Sequence, residues 1–129
     1  MTAIPKKQVA IVVPMHNRAE LTPDEQISFQ HLTHYLGAYD KYLVVPDSLN
    51  IDLPGCGLKR FDDEFFGSVA ANTRLLLSEN FYRSFSEYQY ILIYHLDALV
   101  LSDQLRAWCD TGLDYIGPPW IPCPDSPWV

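Results

Sequence analysis

The segment YILIYHL, residues 90–96, carries no charged side chain and stops at Asp97. An apolar run of this length fits a strand buried on both faces of a parallel sheet. Asp97 then falls at the strand's carboxyl end, where open α/β sheets bind their ligands. A carboxylate buried in an apolar setting is costly unless a cation or hydrogen-bond donors compensate it. A lone acid at that position is therefore the leading site candidate of the chain.

The segments around it alternate in type. QVAIVVPMHN, residues 8–17, reads as a first buried strand running into a polar turn. Thr22, Pro23 and Glu25 then announce a helix: Thr22 as cap, Pro23 at the first helical position, Glu25 completing a capping box. Phe29, Leu32 and Leu36 share one face of that helix, and Gly37 ends it. Residues 42–45 form a second short strand followed by the loop PDSLN, and residues 58–61 a brief third strand leading into the acidic turn Asp62, Asp63, Glu64. Ser68 caps a helix running through Leu77, with a further turn or short helix at residues 81–85. The run at 90–96 is expected as the central strand. Ser102 or Asp103 caps a short helix that buries Leu105 and Trp108 and ends near Gly112, and Tyr115 and Ile116 make a last short strand. This alternation predicts an α/β fold, a mainly parallel sheet flanked by helices with right-handed crossovers.

Length and composition set the outer bounds. A chain of 129 residues, 48% hydrophobic and 19% charged, is read as one folded globular domain over residues 1–129. Residues 117–129 are an irregular, proline-rich tail. The net charge of −7 argues against a nucleic-acid backbone or an anionic membrane as the main partner. A phosphate-bearing metabolite stays open, because a metal ion or a few local basic side chains offset the field. Cys56, Cys109 and Cys123 match no metal-ligand spacing and read as reduced thiols of a cytoplasmic protein. The apolar run at residues 9–15 is too short to span a bilayer, and no signal-peptide pattern precedes it.

Four constellations could carry chemistry. The turn PMHNRAE, residues 14–20, follows the first strand and faces the ligand crevice of such a sheet. Its His16, Asn17 and Arg18 suit a nucleobase edge or a phosphate; the alternative is a solvated loop leading to a capped helix. It lacks the glycines of a dinucleotide fingerprint or a P-loop. Asp47, beside Ser48 past the second strand, suits a ribose hydroxyl, or simply an Asp–Ser turn. Asn72 and Arg74 share the Ser68 helix, and Arg74 suits a diphosphate, a pairing with Asp97, or a plain surface position. His95 and Asp97 lie two apart on a strand and share a face, so both could address one ion. Hard cations prefer carboxylates, which makes His95 the weaker ligand. His31 and His34 lack a third ligand, the acidic turn 62–64 reads as solvated, and no GxSxG elbow is present.

Taken in order, these pieces resemble the nucleotide-binding half of a GT-A-type glycosyltransferase. VAIVVPMHNRAEL (9–21) resembles the opening strand and turn of the inverting family-two enzymes, VVPDSL (44–49) their second-strand acid, ANTRLLLS (71–78) their Arg/Asn-bearing helix, and ILIYHLDALVL (91–101) the strand ending in their DxD metal motif. A closer resemblance is to an uncharacterised domain family grouped with these transferases, through RFDDEFF, SENFYRSFSEYQYILIYHLDALVLSDQLRAWC and GLDYIGPPW. The resemblance covers nearly the whole chain. It implies that Pro14, His16, Asn17 and Asp47 line the base and ribose pocket, with Arg18 beside them. Asn72 and Arg74 would approach the ribose or diphosphate, and Asp97 would hold a Mg²⁺ or Mn²⁺ ion against the leaving diphosphate. Leu99 stands where a DxD motif has its second acid, which leaves a single carboxylate or a metal-free mechanism. The acceptor site and catalytic base of such transferases lie in a further C-terminal half.

The expected function is therefore binding of a nucleotide-sugar donor, with transfer if an acceptor half is supplied. The alternative is an inactive, truncated module serving in binding or assembly, whose shortened sheet needs a cover from a second copy or a partner protein. A nucleotide hydrolase using Asp97 is a third reading.

Overall fold

The structure, a computed structural model, describes residues 6–118. Its frame is a sheet of four parallel strands in the order β3-β2-β1-β4. The strands are β1 (Lys7–Pro14), β2 (Asp40–Pro46), β3 (Gly57–Phe61) and β4 (Tyr88–Ile93). Helix α1 (Pro23–Tyr35) joins β1 to β2. A single 3₁₀ turn (Asp63–Phe65), then α2 (Val69–Leu76) and α3 (Glu79–Arg83), carry the chain from β3 across to β4. Helix α4 (Leu105–Cys109) follows. This is the α/β architecture the sequence predicts.

The period of two along a strand divides the core into two layers. Ile11, Val13, Met15, Leu43 and Val45 face α1, where Leu32 and Leu36 are buried and Phe29 packs beside them. Ala10, Val12 and Val44 face the other way, against Leu75 of α2 and Phe81 and Phe85 around α3. Both faces of β1 and β2 are thus covered, which explains the lack of polar alternation in their sequences.

Local signals position the helices as read. Glu25 N–H donates to the Thr22 hydroxyl, and Thr22 N–H donates to the Glu25 carboxylate, so the capping box is complete. The end of α1 is tied down by Lys41, whose buried ammonium donates to the carbonyls of Leu36, Gly37 and Tyr39. A Cβ at Gly37 would collide with the Thr33 carbonyl, so the chain can leave the helix closely only with glycine there. Ser68 caps α2 through the Ala71 N–H.

Five expectations are corrected. The run at 90–96 is not a central strand: β4 begins at Tyr88, ends at Ile93 and pairs only with β1 among the described residues. Ile91 and Ile93 contact one core layer and Leu92 the other, so its sequence is apolar although the strand is outermost among the described residues and these three side chains are only half-buried. Asp97 is not buried; it sits in an exposed turn past the strand. Trp108 is 53% exposed, because the one-turn helix α4 touches the core through Leu105. Its cap position is Gln104, and Asp103 accepts from Leu105 N–H at 3.3 Å. Tyr115 and Ile116 form no strand: the chain turns away at Gly112 (φ 78°), and Tyr115 is 85% exposed. Of the proline-rich tail, residues 119–129 with Trp120, Cys123 and Trp128 lie outside the described residues.

Candidate functional site

The strand order places a crevice before any side chain is considered. From β1 the chain steps outward to β2 and β3, then returns to the opposite side of β1 as β4. Connections leaving β1 and entering β4 therefore diverge, with α1 on one face and α2 and α3 on the other. At such a switch point the carboxyl ends of neighbouring strands open a ligand crevice. A cleft of about 570 Å³ occupies this position.

Three segments line it. The end of β1 gives Pro14 and His16; the first turns of α1 give Asp24, Glu25 and Ser28; the exit of β4 gives His95 and Asp97. Glu25 is its most constrained group. Arg18 lies 2.8 Å from one carboxylate oxygen, and His16 Nε2 lies 3.9 Å from the other. Burial works against the Glu25 carboxylate, but hydrogen bonds from the Thr22 backbone, Arg18 and the Thr22 hydroxyl outweigh it and hold its pKa below the ordinary glutamate value. Arg18 is also held by the Glu20 carbonyl at 2.8 Å. Arg18 thus offsets one carboxylate of the lining, leaving Asp24 and Asp97 with two histidines.

Four of the sequence-predicted residues, Pro14, His16, His95 and Asp97, therefore meet in one cleft, with Arg18 joined to it through Glu25. The others stand elsewhere on or below the carboxyl edge. Asn17 turns toward the loop that opens α2: a Cβ at Gly67 would lie 3.4 Å from its Nδ2. Asp47 caps the end of β2, its N–H donating to the Phe61 carbonyl at 2.9 Å and its carbonyl accepting from Arg60. Asn72 and Arg74 belong to α2, on the second face; Arg74 donates to the Glu64 carbonyl at 3.1 Å and forms no ion pair with Asp97.

The features set aside in sequence have structural work. Asp62 accepts from Glu64 N–H, and Asp63 accepts from Ser48 N–H at 3.1 Å; the Ser48 side chain and then this N–H lower the Asp63 pKa. His31 Nδ1 lies 2.9 Å from the Val100 carbonyl, while the His34 ring stacks edge-on against Tyr35. Cys56 and Cys109 are free, and burial raises both thiols' pKa. Among the described residues no group of three or more His, Cys, Asp or Glu side chains could hold a metal ion. Asp97 and His95 alone do not make a metal centre.

Against known proteins, a family model described as a protein of unknown function, DUF5672, matches residues 55–127, more than half of the chain. The chain belongs to the DUF5672 family. No curated protein matches it. The DUF5672 match takes in β3, α2, β4 and the Asp97 turn, whereas β1 and α1, which supply His16 and Glu25, lie before it.

Sequence reasoning missed Ser28 and Tyr94, and read Glu25 only as a cap. Ser28 carried a signal: it lies on the same helical stripe as Glu25, Leu32 and Leu36, a hydroxyl where an apolar side chain is expected.

Proposed function

We propose that the carboxyl-edge cleft is the donor site of a glycosyltransferase-type protein, taking the nucleoside diphosphate of a nucleotide-sugar. The observation carrying this reading is that Asp97, past β4, and His16, past β1, line one cleft at the β1/β4 switch point. In the proposed arrangement the diphosphate lies toward Asp97, and the nucleoside crosses the β1 turn toward Asn17 and the loop at Gly67. Asp47, Asn72 and Arg74 lie outside the cleft itself and belong to this reading only where the donor extends beyond it. A lining with more carboxylates than basic groups repels a bare diphosphate, so the donor is expected to bind with its charge compensated. A Mg²⁺ or Mn²⁺ ion would be shared between Asp97 and the diphosphate, most of its ligands coming from the donor and water. Sugar transfer belongs to this reading where another segment or chain supplies an acceptor site.

Calorimetric titration with uridine and guanosine diphosphates and their sugars, with and without Mn²⁺, tests it. Saturable binding that weakens at least about tenfold in Asp97→Ala supports the donor site. Silence across the panel from a folded sample removes it.

A second reading, an inactive module serving in assembly, is favoured by the outer edge of β4, which no described strand covers. An exposed strand edge is a template for pairing with another chain. Sedimentation at rising concentration decides: a strictly monomeric protein is incompatible with self-assembly. None of the helices among the described residues is long and apolar enough to cross a membrane.

A further inference from the structure

Ser28 and Tyr94 are polar side chains inside the layer between α1 and the sheet, 2% and 7% exposed. A hydroxyl there costs free energy unless it is hydrogen-bonded, and apolar side chains of similar shape would fill the same space. What the hydroxyls add is a grip on one stretch of backbone. The Ser28 hydroxyl donates to the Ala98 carbonyl. Tyr94 Oη lies 2.9 Å from Ser28 Oγ and 3.1 Å from the Ala98 carbonyl, and it accepts the Val100 N–H at 3.3 Å. One further approach, 3.3 Å, is to the Ser28 carbonyl. With the Ser28 proton committed to Ala98, the Tyr94 proton has Ser28 Oγ and the Ala98 carbonyl within reach, and a Tyr94 lone pair receives the Val100 N–H. His31, three residues on from Ser28, adds its Nδ1 contact to the Val100 carbonyl.

Ala98 directly follows Asp97 and Val100 comes two residues later, and the stretch between β4 and α4 has no regular structure of its own. Asp97 itself is exposed and makes no ion pair among the described residues. We propose that Ser28 and Tyr94 form a latch that fixes the Asp97 turn against α1, and that they are positioning residues for the ligand Asp97 meets. The latch stands on its own geometry; the positioning role rests on the donor-site reading. A carboxylate on a held turn binds without first ordering its own backbone, so losing the latch should weaken binding while leaving the sheet intact.

Amide hydrogen exchange on the full chain tests the latch in wild type, Tyr94→Phe, Ser28→Ala and the double variant. The Ala98 and Val100 amides are expected to exchange about tenfold faster or more in each single variant, with β1 and β2 amides unchanged. The double variant should be little faster than the worse single one, because the hydroxyls act as one chain. Acceleration spread evenly over the sheet, or full additivity, overturns the latch. Calorimetry with uridine and guanosine diphosphates plus Mn²⁺ tests the positioning role: affinity should fall about tenfold in both single variants, with melting temperature nearly kept. Unchanged affinity beside a loosened turn overturns that role. If the wild type binds neither nucleotide, the donor reading and the positioning role both fail, and the exchange pattern still decides whether the latch exists.

Discussion

Arg18 Nη1 stands 2.8 Å from Glu25 Oε1, and the same oxygen accepts the Thr22 N–H at 2.9 Å. One carboxylate oxygen therefore joins the turn after β1 to the first turn of α1. Two walls of the cleft, the one bearing His16 and the one bearing Asp24 and Ser28, are held at a fixed spacing by this group. Its folded-state pKa is depressed, so its contribution is complete above the unfolded glutamate pKa and disappears as pH falls through the folded value.

Glu25→Gln keeps a side chain able to complete the capping box and removes only the charge. It should cost about 0.5–1 kcal/mol at pH 7, the range of a partly exposed ion pair. Glu25→Ala loses cap and charge together and should cost about 1–2 kcal/mol. Urea unfolding at pH 7 and pH 3 separates the contributions. The gap between wild type and Glu25→Gln should close in acid, and an equal gap at both pH values would mean that charge is not its source.

At the opposite end of the sheet, Tyr88 donates to Asp40 at 2.7 Å, and its hydroxyl lies 2.8 Å from that of Tyr42. Burial, then the bonds to Tyr42 and Asp40, push the Tyr88 pKa far above the ordinary tyrosine value. Tyr88, Lys7 and the nearby Lys41 hold Asp40 below its own, against a smaller opposing effect of burial. A raised tyrosine pKa leaves stability intact below the unfolded value and erodes it as pH climbs beyond about 10. Wild type should therefore lose stability more steeply than Tyr88→Phe in alkaline thermal melts. At pH 7 the variant should be weaker by about 1 kcal/mol, the net worth of a typical hydrogen bond. Parallel alkaline curves would exclude Tyr88 as the titrating group.

Much of this was legible in the residues, because it is local. The uninterrupted apolar stretch of β1, the Thr22–Glu25 box and the Ser68 cap each report their own surroundings. Burial by type reports which faces are covered, and for β4 both faces are touched by side chains. It says nothing about the neighbour in the plane of the sheet, so a strand that is outermost among the described residues read as a central one. Asp97 lies four residues past the end of β4 rather than directly at it, and the turn carrying it is bonded to Ser28, which is distant in sequence. The distance of Asn72 and Arg74 from the cleft has the same origin: topology puts α2 on the second face, and no local pattern encodes that choice.

Asp97 offers a clean separation of stability from function. The side chain is exposed and has no ion-pair partner among the described residues. Asp97→Ala should change unfolding free energy by no more than about 0.5 kcal/mol, as for surface sites free of special features. Donor binding, by contrast, should drop at least about tenfold. A large stability loss in urea would reveal a structural role that the geometry does not show.

Gly67 tests the far end of the proposed donor path. Its φ of 100° lies where side chains with a Cβ are strained, while an added Cβ would stand in ordinary contact with Asn17 Nδ2, at 3.4 Å. Gly67→Ala therefore carries a backbone cost of about 1–2 kcal/mol and no steric one. That cost should be the same with Asn17 present or replaced by alanine, so a double-mutant cycle in urea should be additive. Strong coupling would mean that the backbone change at Gly67 moves Asn17. If the donor crosses this edge, Asn17→Ala should lower nucleotide affinity. Unchanged affinity in Asn17→Ala would confine the ligand to the Asp97 side of β1.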